Sequence, residues 1–394
     1  MRVVLITESD LSGARPVGGA ETSMMLLARR LAARGHEVAF VHELADRRLL
    51  PGTVHEERDG VLIAGIRPVK EFRAARRVHR ITRFRKRLNR RHTMRVLRRL
   101  VIDAQADIVY SYYQLDAMVW IAELLGEASP AKWVLRIAGL YPIRHIERVP
   151  TTLPRYRRLL ERVDCLNYNH ADLQGLFEDE AAAIGLNLPA CPLLIGDIGV
   201  DLPPTRPRPL DRDPADPMRL VMVARFSPHQ KRQDLLVRAL HQMTRPVQLT
   251  FVGEGTERPA IESLVADLGL SDRVTFRSQL PQQELWELLA GFDLLCVATD
   301  YEGLSKITVE AMAIGLPVVA SAVPPVTGLL EHERTGFLVG NDASAWAREL
   351  DRLALDRDLR NRVAAMARSF VEAEYDASQQ VLMYEREFAA LLDG

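Results

Sequence analysis

Asp300-Tyr-Glu302-Gly-Leu-Ser-Lys306-Ile-Thr-Val-Glu310-Ala-Met-Ala-Ile-Gly315-Leu-Pro317 follows an apolar run at 293–297 and leads into helical spacing that Gly315 and Pro317 bring to a stop. Glu302 in the loop and Glu310, about a turn and a half into the helix, can point into one pocket. The backbone N–H groups of Leu304 and Ser305, at the helix start, have no intrahelical acceptor and suit an anion. Carboxylates in such a place suit hydroxyls, and amides suit phosphate. The plainer alternative is a helix start whose surface acids are favoured by the helix dipole. A strand running straight into a loop and a helix is the unit of parallel α/β sheets, so this stretch sets the fold class.

Working outward, the same unit recurs through the second half of the chain, with strands predicted at 220–225, 248–252, 273–276, 293–297, 317–321 and 336–339. The first of these ends in Arg225-Phe-Ser-Pro-His-Gln-Lys231. Two cations at the carboxyl end of a strand would neutralise a diphosphate as charge builds on it in a transfer reaction. A solvated turn is the alternative, but only five residues of the chain are lysine, and Lys231 is one of them. Gly253-Glu-Gly255 lacks the third glycine of a dinucleotide fingerprint and the Gly-Lys-Ser/Thr of a phosphate-binding loop.

The first half reads in the same way. Strands are predicted at 3–7, 37–43, 61–67, 107–112 and 133–138, and an amphipathic helix at 20–34 opens on Gly18-Gly19 and closes on Gly35. Between the halves, DLPPTRPRPLDRDPADP (201–217) carries six prolines and seven charges in seventeen residues, which reads as a linker. The expected organisation is an α/β protein of two doubly wound, Rossmann-like parallel-sheet domains. These are 1–200 and 218–368, joined by the linker 201–217, with a helical segment 369–394. Ligands in such sheets sit outside the carboxyl ends of the strands, here in a cleft between the domains.

With 394 residues, 47% hydrophobic and 26% charged, the chain has the composition of a globular protein of about two cores. The start carries only four consecutive apolar residues, Val3 to Ile6, and no run approaches a membrane span, so a cytoplasmic protein is expected. Cys165, Cys191 and Cys296 form no C-x-x-C pair and read as buried free thiols, and no histidine spacing suggests a metal site. Asp211-Arg-Asp213 has the spacing of a metal-binding pair but sits among prolines. No Gly-x-Ser-x-Gly elbow is present. Net charge is zero, yet residues 67–99 hold fifteen Lys/Arg against one acid, Glu71. That segment reads as a peripheral contact to an anionic membrane face, as a surface for an anionic soluble acceptor, or as a solvated basic helix. Nucleic acid is disfavoured, since no recognition module accompanies it. The arginines 144, 148, 155, 157, 158 and 162 form a second cluster, which either borders the cleft or solvates a helix.

The Arg225/Lys231 loop, the Val252-Gly-Glu-Gly255 turn, the Glu302-x7-Glu310 pattern and the Gly315-Leu-Pro-Val-Val319 strand together resemble the retaining family 4 glycosyltransferases of the GT-B fold. Gly18-Gly19, Gly35-His-Glu-Val38 and Gly199-Val-Asp201 extend the resemblance over nearly the whole chain. It implies a metal-independent, hexosyltransferase-type enzyme, with a nucleoside diphosphate sugar, UDP- or GDP-linked, as donor substrate and no cofactor. It also implies that Arg225 and Lys231 bind the donor diphosphate, that Glu302 contacts the donor sugar and that Glu310 holds the ribose hydroxyls. By the same resemblance, the backbone of Gly18, Gly19, Gly253 and Gly303 to Lys306 (Gly303, Leu304, Ser305, Lys306) lines the pocket. Ser278 and Gln279 fall where the base is read, and the segment 369–394 crosses back onto the first domain. The implied acceptor is a hydroxyl of a glycan, glycolipid or small metabolite, in polysaccharide or secondary-metabolite biosynthesis.

Three positions depart from the family pattern. Ala138 stands where many members carry a histidine, Tyr110-Ser-Tyr112 replaces a His-x-His turn, and Pro324-Pro325 replaces a Gly-Gly turn. Front-face retaining transfer can let the departing phosphate take the acceptor proton, so activity does not require that imidazole. Ala138 then reads as a sign of an unusual donor sugar, particularly around C6. The alternatives are a sugar-nucleotide isomerase or epimerase on the same fold, and a catalytically silent nucleotide-binding scaffold.

Overall fold

The computed structural model describes residues 1–8, 19–44, 50–68, 79–126, 129–203, 216–227, 230–301, 305–324 and 326–394, with backbone only for 19–21 and 79–86. The chain divides into two compact units, Met1–Gly199 with Ala377–Gly394, and Val200–Asp376. Of the segment 201–217, residues 204–215 lie outside the described residues, and Asp211-Arg-Asp213 with them. Residues 369–376 belong to the second unit, and the segment that returns to the first begins at Ala377.

The first unit is built on an eight-stranded sheet. Its strands are β1 (Arg2–Ile6), β2 (Glu37–Glu43), β3 (Gly52–Arg58), β4 (Val61–Arg67), β5 (Ile108–Tyr112), β6 (Lys132–Ile137), β7 (Cys165–Tyr168) and β8 (Leu193–Ile195), in the order β3-β4-β2-β1-β5-β6-β7-β8. Neighbours are parallel except β3 against β4. Alternation along β1 shows why its run is apolar throughout. Val4 and Ile6 enter one core, with Val109 and Trp133, while Val3 and Leu5 enter the other, with Met24, Leu27 and Leu31 of the helix Gly19–Ala33. Both faces of the sheet are covered by helices, so every residue of β5 is buried.

Periodicity does not single out strands β3, β7 and β8. β3 is almost wholly exposed and carries no apolar alternation. Its signal is the turn that follows, where Asp59 and Gly60, at φ 53° and 76°, link Arg58 to its partner Val61 in a two-residue hairpin.

The second unit has six parallel strands, β9 (Met218–Val223), β10 (Val247–Val252), β11 (Val274–Arg277), β12 (Leu294–Val297), β13 (Val318–Ser321) and β14 (Phe337–Val339). They are ordered β11-β10-β9-β12-β13-β14. All six correspond to strands predicted from the sequence, with ends shifted by a residue or two. The same alternation holds: Leu220 and Met222 face one core, and Val221 the other.

Leaving aside the antiparallel β3–β4 hairpin, the strand order of each sheet reverses once, between β1 and β5 in the first and between β9 and β12 in the second. Loops leaving the carboxyl ends at such a switch point turn to opposite faces and leave a crevice between them, which is where open α/β sheets bind ligands.

The helix Ala377–Asp393 packs Val381, Tyr384 and Phe388 into the core of the first unit. A buried polar network fastens it. Arg136 of β6, 1% exposed, donates to the Tyr384 hydroxyl at 2.9 Å and to Asp197 Oδ2 at 2.8 Å. The hydroxyls of Tyr110 and Tyr384 both donate to Asn167 Oδ1, and Asp197 Oδ1 accepts from the Gly199 amide.

Candidate functional site

The switch point of the second sheet brings together the loops after β9 and β12, which carry most of the residues singled out from the sequence. Arg225 lies two residues beyond β9 and is exposed, with its carbonyl held by Gln233 Nε2 at 3.1 Å. Lys231, half-buried, forms an antiparallel bridge with Thr299. The two loops are stitched by backbone bonds, Asp300 N–H to Gln230 O at 2.9 Å and Arg232 N–H to Ala298 O at 3.0 Å. Arg232 adds ion pairs to Asp234 and Asp300, both at 2.9 Å, and Asn341 Nδ2 donates to the Thr299 carbonyl and to Asp300 Oδ1. The sequence reading missed Arg232, Asp300 and Asn341 as the clamp of this turn. These bonds hold residues 299–301 at the entrance to the Glu302 loop. Glu302, Gly303 and Leu304 themselves lie outside the described residues, as does Gly18.

Ser305, 7% exposed, occupies the cap position of the helix Lys306–Ile314, and its side chain caps none of the first amides. Gly315 ends that helix in the left-handed region, at φ 82°. Glu310 is buried along the helix, 8% exposed, and its Oε2 accepts from Gln282 Nε2 at 3.0 Å. Burial lifts its carboxyl above the ordinary range, while Gln282 and the Lys306 ammonium one turn back pull it down. Gln282 opens the helix after β11, so the exposed Ser278 and Gln279 lie on the short segment that leads to Glu310's partner. Sequence reasoning did not find Gln282, since only the fold brings it to Glu310.

Gly253 and Gly255 have a packing reason. At φ 148° and 153°, a Cβ on either would stand 2.1 Å from the carbonyl oxygen of Ala224 or Phe226. The glycine turn therefore lies directly against the backbone that carries Arg225, which Phe226 N–H to Glu254 O at 3.0 Å secures.

In the first unit, Gly19 begins the helix Gly19–Ala33. At the switch point between β1 and β5 the structure shows a cavity of about 610 Å³, lined among others by Glu8, Tyr112, Gln114, Ala138, Tyr141 and His145. Glu8 follows β1 and is tied to the loop after β5. Its N–H donates to Gln114 Oε1, and its Oε1 accepts from the Ala117 N–H, each at 2.6 Å. Burial outweighs that bond and pushes the Glu8 carboxyl up to about 7, with Asp116 and Glu43 adding to the rise. His145 Nδ1 is 2.8 Å from the Tyr156 hydroxyl. Its ring lies nearly parallel to that of Tyr141 (7°, centroids 6.2 Å apart). Ala138 brings no imidazole to the end of β6, and His145 of the helix Tyr141–Arg148 lines the same cavity.

None of the arginines at 144–162 lines this cavity. All six are exposed, Arg144 pairs with Glu147 and Glu180, and Arg157 bonds the Gly185 carbonyl. Of the basic segment 67–99, side chains are described at 67–68 and from 87 onward, where Arg87, Arg91, Arg95 and Arg99 recur every fourth residue and are exposed. Cys165 and Cys296 are buried and Cys191 is half-buried. Among the described residues no three His, Cys, Asp or Glu are placed to hold a metal, and no helix is long and apolar enough to cross a membrane.

Two parallel-sheet α/β domains, each with its loops gathered at a switch point, are the components of the GT-B fold. Residues 211–370 match the family model of glycosyl transferases group 1. A D-inositol 3-phosphate glycosyltransferase from Nocardia farcinica is 34% identical over 189 residues, 43% of this chain and 41% of the relative. The chain thus spans less than half of that relative's length. Two solved structures share the fold along the whole chain. Sucrose-phosphate synthase from Thermosynechococcus elongatus has a TM-score of 0.77 at 22% identity, covering 99% of both chains. HepE from Anabaena, in complex with UDP and glucose, has a TM-score of 0.74 at 17% identity, covering 99% of this chain and 100% of that one.

Proposed function

We propose that the protein transfers a hexose from a nucleoside diphosphate sugar to a hydroxyl of an acceptor, with retention at the anomeric carbon and without an essential metal. The observation that carries this reading is the stitched pair of loops at the second switch point. They present Arg225 and Lys231 on one side and lead into the Glu302 loop and the helix of Glu310 on the other. In this reading Arg225 and Lys231 take up charge on the leaving diphosphate, aided by the amides at the start of the helix Lys306–Ile314. Glu302 orients the donor sugar, buried Glu310 holds the ribose hydroxyls, Ser278 and Gln279 meet the base, and Gly253 supports the Arg225 backbone. Gly18, Gly19 and the backbone of Gly303 to Lys306 complete the donor pocket.

UDP is the favoured nucleotide, supported by its presence in the HepE complex, and a GDP-sugar is the other candidate. The Nocardia relative is named for a cyclitol phosphate, which supports a polyol hydroxyl as acceptor. The stripe Arg87, Arg91, Arg95 and Arg99 supports contact with an anionic surface, and a cytoplasmic protein resting on an inner membrane face fits it.

The test is thermal denaturation with UDP-, GDP- and ADP-sugars, followed by nucleoside diphosphate release with and without acceptor. A donor that binds the native state raises the melting temperature. Arg225→Ala or Lys231→Ala is expected to lower kcat by about 10²- to 10³-fold. Glu310→Ala is expected to act mainly on the donor KM. Conversion of the donor without any acceptor would replace transfer by isomerisation.

A further inference from the structure

The cavity at the first switch point has a chemistry of its own. Among the described residues that line it there are two carboxyl groups, Glu8 and Asp116, one imidazole and several phenols, but no lysine or arginine. At about 610 Å³ it is of ordinary ligand size, with room for a sugar ring. One wall is aromatic. Tyr141, 63% exposed, lies parallel to His145 and offers a flat face of the kind on which the C–H side of a pyranose or cyclitol ring stacks. The polar floor is fixed. The Gln114 side-chain oxygen is occupied by the Thr7 hydroxyl and the Glu8 amide, and Glu8 is anchored by Ala117. Neighbouring hydroxyls of a ring can donate to such a carboxyl. A phosphate or carboxylate would meet two acids of its own sign, and none of the described lining residues is a cation that could offset them.

We propose that this cavity binds the acceptor as a neutral polyhydroxylated six-membered ring stacked on Tyr141, with Glu8 receiving its hydroxyls, and that it selects against the phosphorylated form of the same ring. The proposal rests on the transferase reading and adds the acceptor class to it. Glu8 and Tyr141 are then specificity residues carried by the loop after β1 and by the helix Tyr141–Arg148.

Ligand-observed NMR on the full chain with UDP present, at pH 7.5, tests this with myo-inositol and methyl α-D-glucopyranoside against myo-inositol 1-phosphate and glucose 6-phosphate. At least one neutral probe is expected to bind about tenfold or more tightly than its monophosphate. Tyr141→Ala, at an exposed position that spares the core, is expected to weaken the neutral probe about fivefold. Glu8→Gln is expected to bring the monophosphate to within about threefold of the neutral ring. A monophosphate bound as tightly as the neutral ring overturns the proposal, and so does neutral binding that neither substitution touches. No neutral probe bound by a protein that does bind UDP also overturns it while leaving the transferase reading standing. Failure to bind any nucleotide or nucleotide sugar removes that reading and this proposal with it.

Discussion

Glu8 is held where its charged form is poorly solvated, and this has a signed consequence for stability. Its carboxyl is raised to about 7 in the folded protein, against a value near 4.5 when exposed. The native state therefore keeps a proton that the unfolded chain has released, and stability falls as pH rises from about 4.5 to about 7. Glu8→Gln removes that cost. It is expected to stabilise the protein by up to about 3 kcal/mol at pH 8 and to change little at pH 4, as read from urea denaturation at the two pH values. An equal effect at both would show that burial does not control this carboxyl. At the neighbouring Ala138, half-buried on the same cavity, Ala138→His tests the reading of this position as fitted to an unusual donor sugar. Turnover with the native donor is expected to fall, and improved turnover would contradict the reading of this position.

At the scale of elements, the Gly253–Gly255 turn and the Arg225 loop act as one piece. Gly253→Ala drives a methyl against the Ala224 carbonyl and is expected to cost about 1–3 kcal/mol and to weaken donor binding, measured by melting temperature and nucleotide titration. Unchanged nucleotide affinity in a variant that folds would separate the turn from the donor site. These elements also show what the sequence makes legible. Strands β12 and β13 of the second sheet announce themselves because parallel strands buried on both faces are continuous apolar runs, and Glu310 is found because it lies about a turn and a half into the helix that follows the Glu302 loop. β3 stays hidden because an exposed edge strand needs no apolar pattern. Glu8 stays hidden for a different reason. After a strand it looks like any polar residue, and its chemistry is created by Gln114 and Ala117, more than a hundred residues away. Arg136 is visible inside the apolar run 133–138 as a charge out of place, yet nothing nearby in sequence names Asp197 or Tyr384 as its partners.

At the scale of the whole chain, the buried Arg136–Asp197 pair and the Tyr384 hydroxyl join three distant segments of the first unit. Asp197→Ala leaves a buried guanidinium without its counter-ion and is expected to cost about 3–5 kcal/mol in chemical denaturation. A loss under about 1 kcal/mol would mean that water or another group replaces the carboxylate.

The same returning helix sets an order on biosynthesis. Residues 200–376 form one uninterrupted stretch, so that domain holds all its own contacts once it has left the ribosome. The first domain begins at Met1 but must wait for Val381, Tyr384 and Phe388 to close one face of its sheet. The part made first is thus the part finished last, and until residues 381–388 have emerged from the ribosome Tyr110 of β5 lacks the cover that Tyr384 and Phe388 give it.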